Sequence, residues 1–456
     1  MSGSFFEVED QAAVTKSRKS AMAGVIALAA FGALCLHSAP RPQAAPTAHL
    51  AADQRLHWYR GNLHTHSLWS DGDDYLETIG LWYKEHGYDF LCFTDHNVLP
   101  AAGDHWVSVD RNGSGLKALG KLKSRFPGDW VETRTVDGKT EVRLKTLAEV
   151  RPRLEEPGRF ILLQGEEISD WYGLTPLHLN ASNVQQLVPP MHGASIAETI
   201  QNDVDAVIAQ RERTRKPILI HLNHPNFQYA VTAEDLMRVH GDNFFEVYNG
   251  HPSVHNSGDP FHASTERIWD ILLAHRIADL GLPLLYGLAN DDGHRYHHIP
   301  SRGSEPGRGW IMVLSPKLSA DALLQAIEAG QFYASSGVRL RQVTSGPEGL
   351  NVEIDPEPGV HYTIEFLGTR AGFDHQSEPV KDSSGKEIRT TRRYSDQIGR
   401  VFQTVEGETA KYEFGPSDLY VRARVTSTKR HPNPSEIGEF ERAWVQPVLG
   451  PAAPKR

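Results

Sequence analysis

Two histidines and an aspartate are concentrated in one short segment near the start of the chain, GNLHTHSLWSDG (61–72). His64 and His66 are one residue apart, and Asp71 follows in the same segment. Imidazole and carboxylate groups bind divalent metal ions, and imidazole also changes charge near neutral pH. The segment therefore predicts metal binding.

Polar segments of the same kind recur further along the chain. FTDHN (93–97), QGEEIS (164–169), LIHLNHPN (219–226) and LANDDGH (288–294) come at the ends of short apolar runs, and LTPLHLN (174–180) contributes a further histidine. Polar side chains are scarce near buried strands unless something compensates them. Because the carboxyl ends of the strands of a parallel α/β barrel open on one face, these groups are expected to converge on a metal site.

Apolar runs that alternate with helical patterns would position these groups. The predicted strands are YDFLCF (88–93), RFILLQG (159–165), KPILIHL (216–222), NFFEVYN (243–249), LPLLYGL (282–288) and GWIMVL (309–314), and the predicted helices span 78–86, 196–213, 232–240 and 265–280. This alternation is typical of βαβ units. It predicts an α/β fold with a parallel sheet covered on both sides, either a barrel or a doubly wound sheet.

The alternation of predicted strands and helices is interrupted in two places. Residues 101–158 form a polar insertion with a predicted hairpin around Asp137-Gly138, and we favour a solvated surface over a cover that attracts anions. After residue 338 short alternating strands predict a small antiparallel, β-sandwich-like domain. We therefore divide the chain into 1–53, a catalytic region at 54–338 and a β domain at 339–456.

The N-terminal region is typical of an export signal. Lys16, Arg18 and Lys19 precede an uncharged run at 21–36, which is short for a membrane span of about 20 residues. We predict that residues 1–53 are a cleaved signal peptide plus linker, with an uncleaved anchor as the alternative. The protein would then be exported, to the periplasm in a bacterium, and would touch the membrane only through this segment.

Composition excludes several other classes of protein. A net charge of −10 and a pI near 6.1 argue against general nucleic-acid binding. The chain has two cysteines, Cys35 and Cys92, and the first lies in the predicted signal, so neither a disulfide framework nor a thiolate metal site can be built. Any metal must be held by His, Asp and Glu.

The order of the motifs resembles the PHP (polymerase and histidinol phosphatase) superfamily of metal-dependent hydrolases. The matching motifs are His64-Thr-His66, Ser70-Asp71-Gly72, Thr94-Asp95-His96, Gly165-Glu166-Glu167, His224-Pro225 and Asp292-Gly293-His294. The resemblance implies a distorted (β/α)7 TIM-like barrel with two or three divalent ions, Mn²⁺, Zn²⁺ or Fe²⁺. It implies as ligands His64, His66, Asp71, His96, Glu167, His178, His224, Asp292 and His294, with Glu167 bridging two ions.

Within these motifs some choices have to be made. Glu167 is preferred to Glu166 as ligand because it occupies the third position of the motif and adjacent strand residues face opposite ways. His224 is preferred to His221 because a proline follows it, and His221 is then a candidate for substrate binding. Glu167, His224 and Asp292 are also predicted to take part in catalysis. Asp95 and Asp291 are interpreted as carboxylates that orient His96 and the loop of Asp292.

A looser similarity extends to the carbaryl hydrolase-like (CehA/McbA) branch. FFEVYNG (244–250), GRGWIMVL (307–314) and ALLQAIEAGQFYASSGV (322–338) carry it. It implies that Asn249 and His251 reach the pocket and that residues 332–336 close it. The alternative is that Asn249-Gly250 is a turn and that 332–336 is a strand.

Three functions are compatible with this pattern. The leading hypothesis is a phosphoesterase for a small-molecule mono- or diester, with Arg295, Arg302 and Arg308 as candidate phosphate partners. The second is a carboxylester or carbamate hydrolase with an aromatic pocket, for which the candidates are Trp69, Trp106, Trp171, Tyr172, Phe227 and Tyr229. The third is a metal-stabilised binding scaffold without catalytic activity.

Overall fold

The computed structural model describes residues 55–101 and 103–455, which contain a large mixed sheet flanked by helices. The helices are α1 (Leu76–Glu85), α2 (Gly115–Arg125), α3 (Leu147–Leu154), α4 (Ile196–Thr214), α5 (Ala233–Leu236), α6 (Thr265–Ala278) and α7 (Ala320–Glu328), with a 3₁₀ turn at Arg111–Gly113. Strands β1 to β12 are His57–Asn62, Phe90–Phe93, Trp106–Ser108, Thr133–Val136, Lys139–Arg143, Ile161–Tyr172, Thr175–Ser182, Leu219–Leu222, Phe244–Asn249, Tyr286–Asn290, Trp310–Ser315 and Phe332–Ser335. Strands β13 to β21 are Leu340–Gly346, Gly349–Ile354, Tyr362–Arg370, Ser377–Glu378, Arg393–Tyr394, Arg400–Glu406, Thr409–Glu413, Asp418–Arg430 and Phe440–Leu449.

The predicted signal or anchor at 1–53 lies outside the described residues. Within the described ranges, no helix combines the length and the apolar character needed to cross a bilayer.

The main sheet has the strand order β10-β9-β8-β7-β6-β2-β1-β11-β12-β21-β20-β15-β18. All six predicted apolar runs are strands of this sheet, which confirms the α/β class. The predicted parallel sheet has an exception in β7, which runs antiparallel to both of its neighbours, β6 and β8. The cause is a tight turn at Gly173, whose φ of +63° is easy for glycine, whereas a parallel pair needs a long crossover.

The carboxyl ends of β1 and β10 are joined by backbone hydrogen bonds. Asp292 N donates to His64 O at 3.1 Å, and His66 N donates to Gly293 O at 3.0 Å. These bonds bring the two halves of the HxH and DxH motifs side by side although they are far apart in sequence.

Helices α4 and α6 confirm the predicted helices at 196–213 and 265–280, and α1 confirms the one at 78–86. The helix predicted at 232–240 was wrong in length, since α5 is a single turn. A capping box between Thr232 and Asp235 closes that turn. The carbonyl of Val239 then accepts from Arg276 Nη1 at 2.6 Å, and Gly241 takes a φ of +84°, so the chain leaves the helical path.

The insertion at 101–158 contains α2, α3 and the small sheet β3-β5-β4. The predicted hairpin is confirmed, with Asp137 and Gly138 both at positive φ between β4 and β5. Lys121 and Arg125 pair with acidic residues of the same chain, Asp74 and Glu85. These two cations of the insertion are thus neutralised by the protein itself, in keeping with the surface interpretation.

The short strands predicted after residue 338 are present and antiparallel. They continue the main sheet, because β12 pairs with β11 on one side and with β21 on the other. Residues 54–456 form one compact unit. A separate β domain at 339–456 stays a prediction.

Candidate metal centre

The nine predicted metal ligands converge on one region of the structure. Strand β1 leads into His64 and His66, the next loop carries Asp71, β2 leads into His96, β6 and β7 carry Glu167 and His178, β8 leads into His224, and β10 leads into Asp292 and His294. They form four overlapping groups in which one ligand atom from each member lies within 4.8 Å of the others. The groups are His66-Asp71-His96-His294, His64-His66-Asp292, His64-Glu167-His224 and His96-Glu167-His178. The histidine and acid clusters could therefore hold metal ions, while the role of each ligand stays a prediction.

The innermost part of the cluster consists of His64, His66, Glu167 and Asp292, all buried. His64 Nε2 lies 3.4 Å from Glu167 Oε2 and 3.2 Å from Asp292 Oδ1. His66 Nε2 lies 3.1 Å and 3.2 Å from the same two oxygens. Two ring nitrogens and two carboxylate oxygens thus face a common centre, a donor set that suits Mn²⁺, Fe²⁺ or Zn²⁺.

Asp71 occupies the outer side of the cluster and is half exposed. Its carboxylate lies 3.5 Å from His66 Nδ1, 3.5 Å from His96 Nε2 and 3.3 Å from His294 Nε2. Gly72 permits this arrangement, because a Cβ at that position would lie 2.5 Å from the carbonyl oxygen of His66. The glycine of the SDG motif therefore lets the loop fold back onto the HxH motif.

Glu167 connects two sides of the cluster. Its Oε1 lies 3.0 Å from His178 Nδ1 and 3.5 Å from His224 Nε2. Its Oε2 lies 3.0 Å from His96 Nδ1, as well as close to the two inner histidines. Each oxygen faces a different set of histidines, which is the arrangement expected of a bridging carboxylate.

Two features of the backbone and side chains fit bound cations. His64 Nε2, His66 Nε2 and Glu167 Oε2 are buried, and within the described part of the chain no hydrogen bond of good geometry reaches them. Buried polar atoms without partners are rare in native proteins and call for a ligand or ion. Asp292 has a φ of +51°, a strained conformation of the kind found at functional sites.

The pKa shifts of the cluster also indicate that its carboxylates favour positive charge nearby. Burial opposes charge on these groups, but the attraction between the histidine rings and the carboxylates outweighs it. It raises the pKa of His64 well above its usual value and holds the pKa of both carboxyls well below theirs. In the same way, Asp292 and Glu167 overcome the effect of burial and raise the pKa of His66 to about 10. Metal ions would take over this role from the ring protons.

Sequence reasoning missed one central residue, Glu246 of β9. It is fully buried, and His64 Nδ1 lies 2.8 Å from its Oε1. It also accepts from the backbone N–H of His224 at 2.9 Å and from the side chain of Asn290 at 2.9 Å. The signal was available, because a glutamate inside the apolar run FFEVYN is exceptional for a buried strand.

Amide side chains orient the carboxylates that face the centre. Asn249 Nδ2 donates to Glu246 at 2.7 Å and to Asp292 Oδ2 at 3.2 Å, so this predicted pocket residue lies at the cluster. Asn223 Nδ2 donates to Glu167 Oε1 at 2.8 Å. Such contacts fix the ligand oxygens before any ion arrives.

The two aspartates interpreted as orienting groups behave differently. Asp291 accepts from Tyr83 OH at 2.9 Å and from the backbone N–H groups of residues 308 and 309, so it anchors the loop that carries Asp292, as predicted. Asp95 accepts instead from the N–H and hydroxyl groups of Ser67 and Ser70, and therefore holds the HxH loop. His96 lies against Ser169 Oγ at 2.5 Å.

The two alternative ligand candidates, Glu166 and His221, lie outside the four groups. Glu166 accepts from the backbone N–H of Val188 at 3.0 Å and belongs to none of the four groups. Burial raises its pKa to about 8. His221 is buried with its Nε2 3.6 Å from Glu246, and it belongs to none of the groups either. A substrate role for His221 stays a prediction.

The three arginines predicted to bind phosphate have different environments. Arg308 is buried and donates to Gly250 O at 2.7 Å and to Asn433 Oδ1 at 3.1 Å. Arg295 is half exposed and donates to Asn112 O at 2.9 Å. Arg302 is exposed and, together with Arg308, lines a pocket of about 530 Å³. A role in binding substrate stays a prediction for all three.

His251 and Phe227 stand next to the cluster. The ring of His251 lies 5.6 Å from that of His294 and 6.0 Å from that of Phe227. Phe227 also lies 5.3 Å from the ring of His224. Among the six aromatic candidates, Phe227 is thus placed against ligand side chains.

Four of the other five aromatic candidates have partners elsewhere, and the fifth is exposed. Trp69 stacks on His105, Trp171 packs on His192 and Tyr229 stacks on His262. Trp106 donates to Asp104, and Tyr172 ends β6 with its side chain exposed. Residues 332–335 form β12, which confirms the strand interpretation of that segment.

Comparison with solved structures gives several distant matches, of which two are described here. One is a two-domain protein from Bacteroides vulgatus containing a predicted PHP-like metal-dependent phosphoesterase, with 12% identity, a TM-score of 0.35 and coverage of 86% of this chain and 95% of that one. The other, from Bifidobacterium adolescentis, is described as a candidate metal-dependent phosphoesterase, with 13% identity, a TM-score of 0.25 and coverage of 51% and 87%. At these TM-scores neither resemblance establishes the fold or the reaction of this chain. No protein-family model and no curated protein matches the sequence.

Proposed function

We propose that this protein is a metal-dependent hydrolase of the PHP type that cleaves phosphate esters of small molecules at a centre of two or three ions. The observation that carries the proposal is the convergence of nine imidazole and carboxylate side chains, several of whose buried atoms have no hydrogen-bond partner among the described residues. The hydrogen bonds between the ends of β1 and β10 support a distorted seven-stranded barrel built from β1, β2 and β6 to β10. In such a barrel these side chains share one face.

Some residues of the cluster would hold the ions, and others orient the ligand side chains. His64, His66, Glu167 and Asp292 would hold the inner ion, and the groups around Asp71 and around His178 with His224 would hold the others. Divalent ions supply a Lewis acid for the ester oxygens and a water of lowered pKa.

The metal ligands are held in position by neighbouring side chains, so little free energy is needed to rearrange them during the reaction. Glu246 fixes the ring of His64 through Nδ1, so that Nε2 faces the centre. Asn249 and Asn223 fix the carboxylates of Asp292 and Glu167. His251 stands beside His294 at the cluster and would contact the substrate. Ligands held in advance are worth more than ligands that must be ordered on binding.

A reconstitution screen tests the proposal. The purified chain is stripped with chelator, loaded with Mn²⁺, Zn²⁺ or Fe²⁺, and assayed with p-nitrophenyl phosphate and bis(p-nitrophenyl) phosphate. We expect metal-dependent release of p-nitrophenol that Asp292→Asn and His66→Ala reduce at least 100-fold. Glu166→Gln should leave it unchanged, because Glu166 is buried but faces away from the cluster. Less than one ion per chain and no activity with any ester would favour the non-catalytic scaffold instead.

A second candidate function keeps the same metals and changes the electrophile to the carbonyl carbon of a carboxylester or carbamate. Phe227 against His224 and the commitment of Arg308 to internal hydrogen bonds favour it. Assays with p-nitrophenyl acetate and an aryl carbamate in the same screen separate the two. Rapid, metal-dependent cleavage of these esters with uniform failure on phosphates would reject the phosphoesterase.

We also propose that the chain is exported and that residues 1–53 are removed or remain as an anchor. The basic residues before the uncharged run at 21–36 support this. Fractionation of the native cells with N-terminal sequencing tests it. An intact Met1 in the cytosolic fraction would contradict export.

A further inference from the structure

A second cluster of metal-binding side chain types lies at the C-terminal end of α6 and shares no residue with the candidate metal centre. His275 and Asp279 are four residues apart and so occupy one face of the helix. His375 comes from the segment that follows β15. We propose that these three side chains bind one divalent transition-metal ion, which fastens α6 to that segment.

The distances between the donor atoms fit a single ion. His275 Nδ1 lies 2.7 Å from Asp279 Oδ2, and His375 Nδ1 lies 3.2 Å from the same oxygen. The three ligand atoms all lie within 4.8 Å of one another. Bonds of about 2.1 Å in a tetrahedral site separate ligand atoms by about 3.4 Å, so shifts of less than about 1 Å would complete the site.

Aromatic packing already holds both rings in place. The ring of His375 stacks on Phe373 at 4.0 Å and 16°, and the ring of His275 meets the same phenyl group edge-on at 5.5 Å. His275 also packs against Tyr394 at 5.0 Å and is only 5% exposed. Because the rings are ordered in advance, binding an ion costs little side-chain entropy.

The position on the helix also favours a cation. Asp279 caps the C-terminus of α6, where unpaired carbonyl groups carry partial negative charge. The side chains of Asp279 and His375 are 37% and 47% exposed, which leaves a path for an ion and room for water as a fourth ligand. A cation bound here would be attracted both by the helix dipole and by the carboxylate of Asp279.

The types of donor atom indicate which metal ion would bind and what that ion would do. Two imidazoles and one carboxylate favour Zn²⁺, Cu²⁺ or Ni²⁺ over Mg²⁺ and Ca²⁺, which prefer oxygen. The ion would reinforce a junction that Arg267 of α6 already makes with the backbone carbonyls of Tyr394 and Ser395. Its role is therefore to stabilise the junction between α6 and the β15–β18 region, without a part in hydrolysis.

Zinc counting tests this site separately from the candidate metal centre. The full chain, His375→Ala, Asp279→Asn and the control His361→Ala, an exposed histidine outside every cluster, are stripped, saturated with Zn²⁺, dialysed and analysed by elemental mass spectrometry. We expect one zinc ion fewer per chain in His375→Ala and Asp279→Asn than in the wild type and the control. Zinc should also raise the thermal midpoint of the wild type by on the order of 2 °C more than that of the two variants.

Equal zinc content in all four proteins would overturn the proposal and leave a hydrogen-bonded triad without a metal. Both altered side chains are at least one-third exposed, so the variants are expected to fold. Esterase activity plays no part in the count, so the result is independent of the function proposed above.

Discussion

Replacement of Glu246 by glutamine should weaken metal binding while leaving the fold in place. Oε1 of Glu246 faces His64 Nδ1 at 2.8 Å and accepts from Asn290 Nδ2 at 2.9 Å. Oε2 accepts from the backbone N–H of His224 at 2.9 Å and from Asn249 Nδ2 at 2.7 Å. Both oxygens are thus used by donors, and an amide NH₂ group in either orientation would face two of them.

The size of the effect follows from the position of this carboxylate behind a ligand histidine. Loss of such a partner weakens metal affinity by about 10- to 100-fold, or about 1.4 to 2.7 kcal/mol. Isothermal titration of the stripped protein with Mn²⁺ and with Zn²⁺ measures it. Glu166→Gln is the matched control, because Glu166 is a buried carboxyl of β6 that faces away from the cluster. A dissociation constant for Glu246→Gln within twofold of both the wild type and the control would refute the assigned role of Glu246.

Stability should respond to metal removal and to changes at two buried acids. Chelation should lower the thermal midpoint, and an ion supplied at 100 times its Kd should restore about 2.7 kcal/mol; no change on chelation would contradict bound metal. Burial raises the pKa of Glu77, which accepts from Trp130, from 4.5 to about 7, so wild-type stability falls as pH rises through this window. Urea unfolding should therefore show Glu77→Gln more stable by roughly 3 kcal/mol at pH 8 and equal at pH 4.5, whereas a pH-independent difference would disprove this. Asp270→Asn should cost about 2 kcal/mol in the same assay because it removes the 2.7 Å ion pair of the buried Arg422 and leaves Glu266, at 3.3 Å, as its remaining acidic partner, and a loss below about 0.5 kcal/mol would contradict that.

Runs of apolar residues predicted the strands of the main sheet well, since a segment such as FLCF at β2 has few other ways to be buried. Strand β7 was missed because its sequence, TPLHLNAS, mixes polar and apolar residues without a clear period. Its antiparallel direction depends on a two-residue turn, Gly173 with Leu174, that hydrophobic periodicity does not reveal. The helix expected at 232–240 is one turn for a similar reason, because a hydrogen bond from Arg276 on α6 ends it.

The convergence of the cluster was predictable from motif order and from the placement of polar groups after strands. The supporting contacts were not, because the partners are distant in sequence. Glu246 and His64 are separated by 182 positions. Asp95 was expected beside His96 and instead accepts hydrogen bonds from Ser67 and Ser70, since the direction of a loop side chain depends on the loop's own hydrogen bonds.

Strand β12 lies between β11 and β21, and this has a consequence for how the chain can be divided. A shortened chain that stopped at residue 338 would leave β12 as an exposed edge strand, whose unpaired backbone groups favour self-association. It would also deprive Arg308 of Asn433. The region that carries the candidate metal centre and the C-terminal strands should therefore melt in one calorimetric step and be inherited as a single piece, unlike modules that are exchanged freely between proteins.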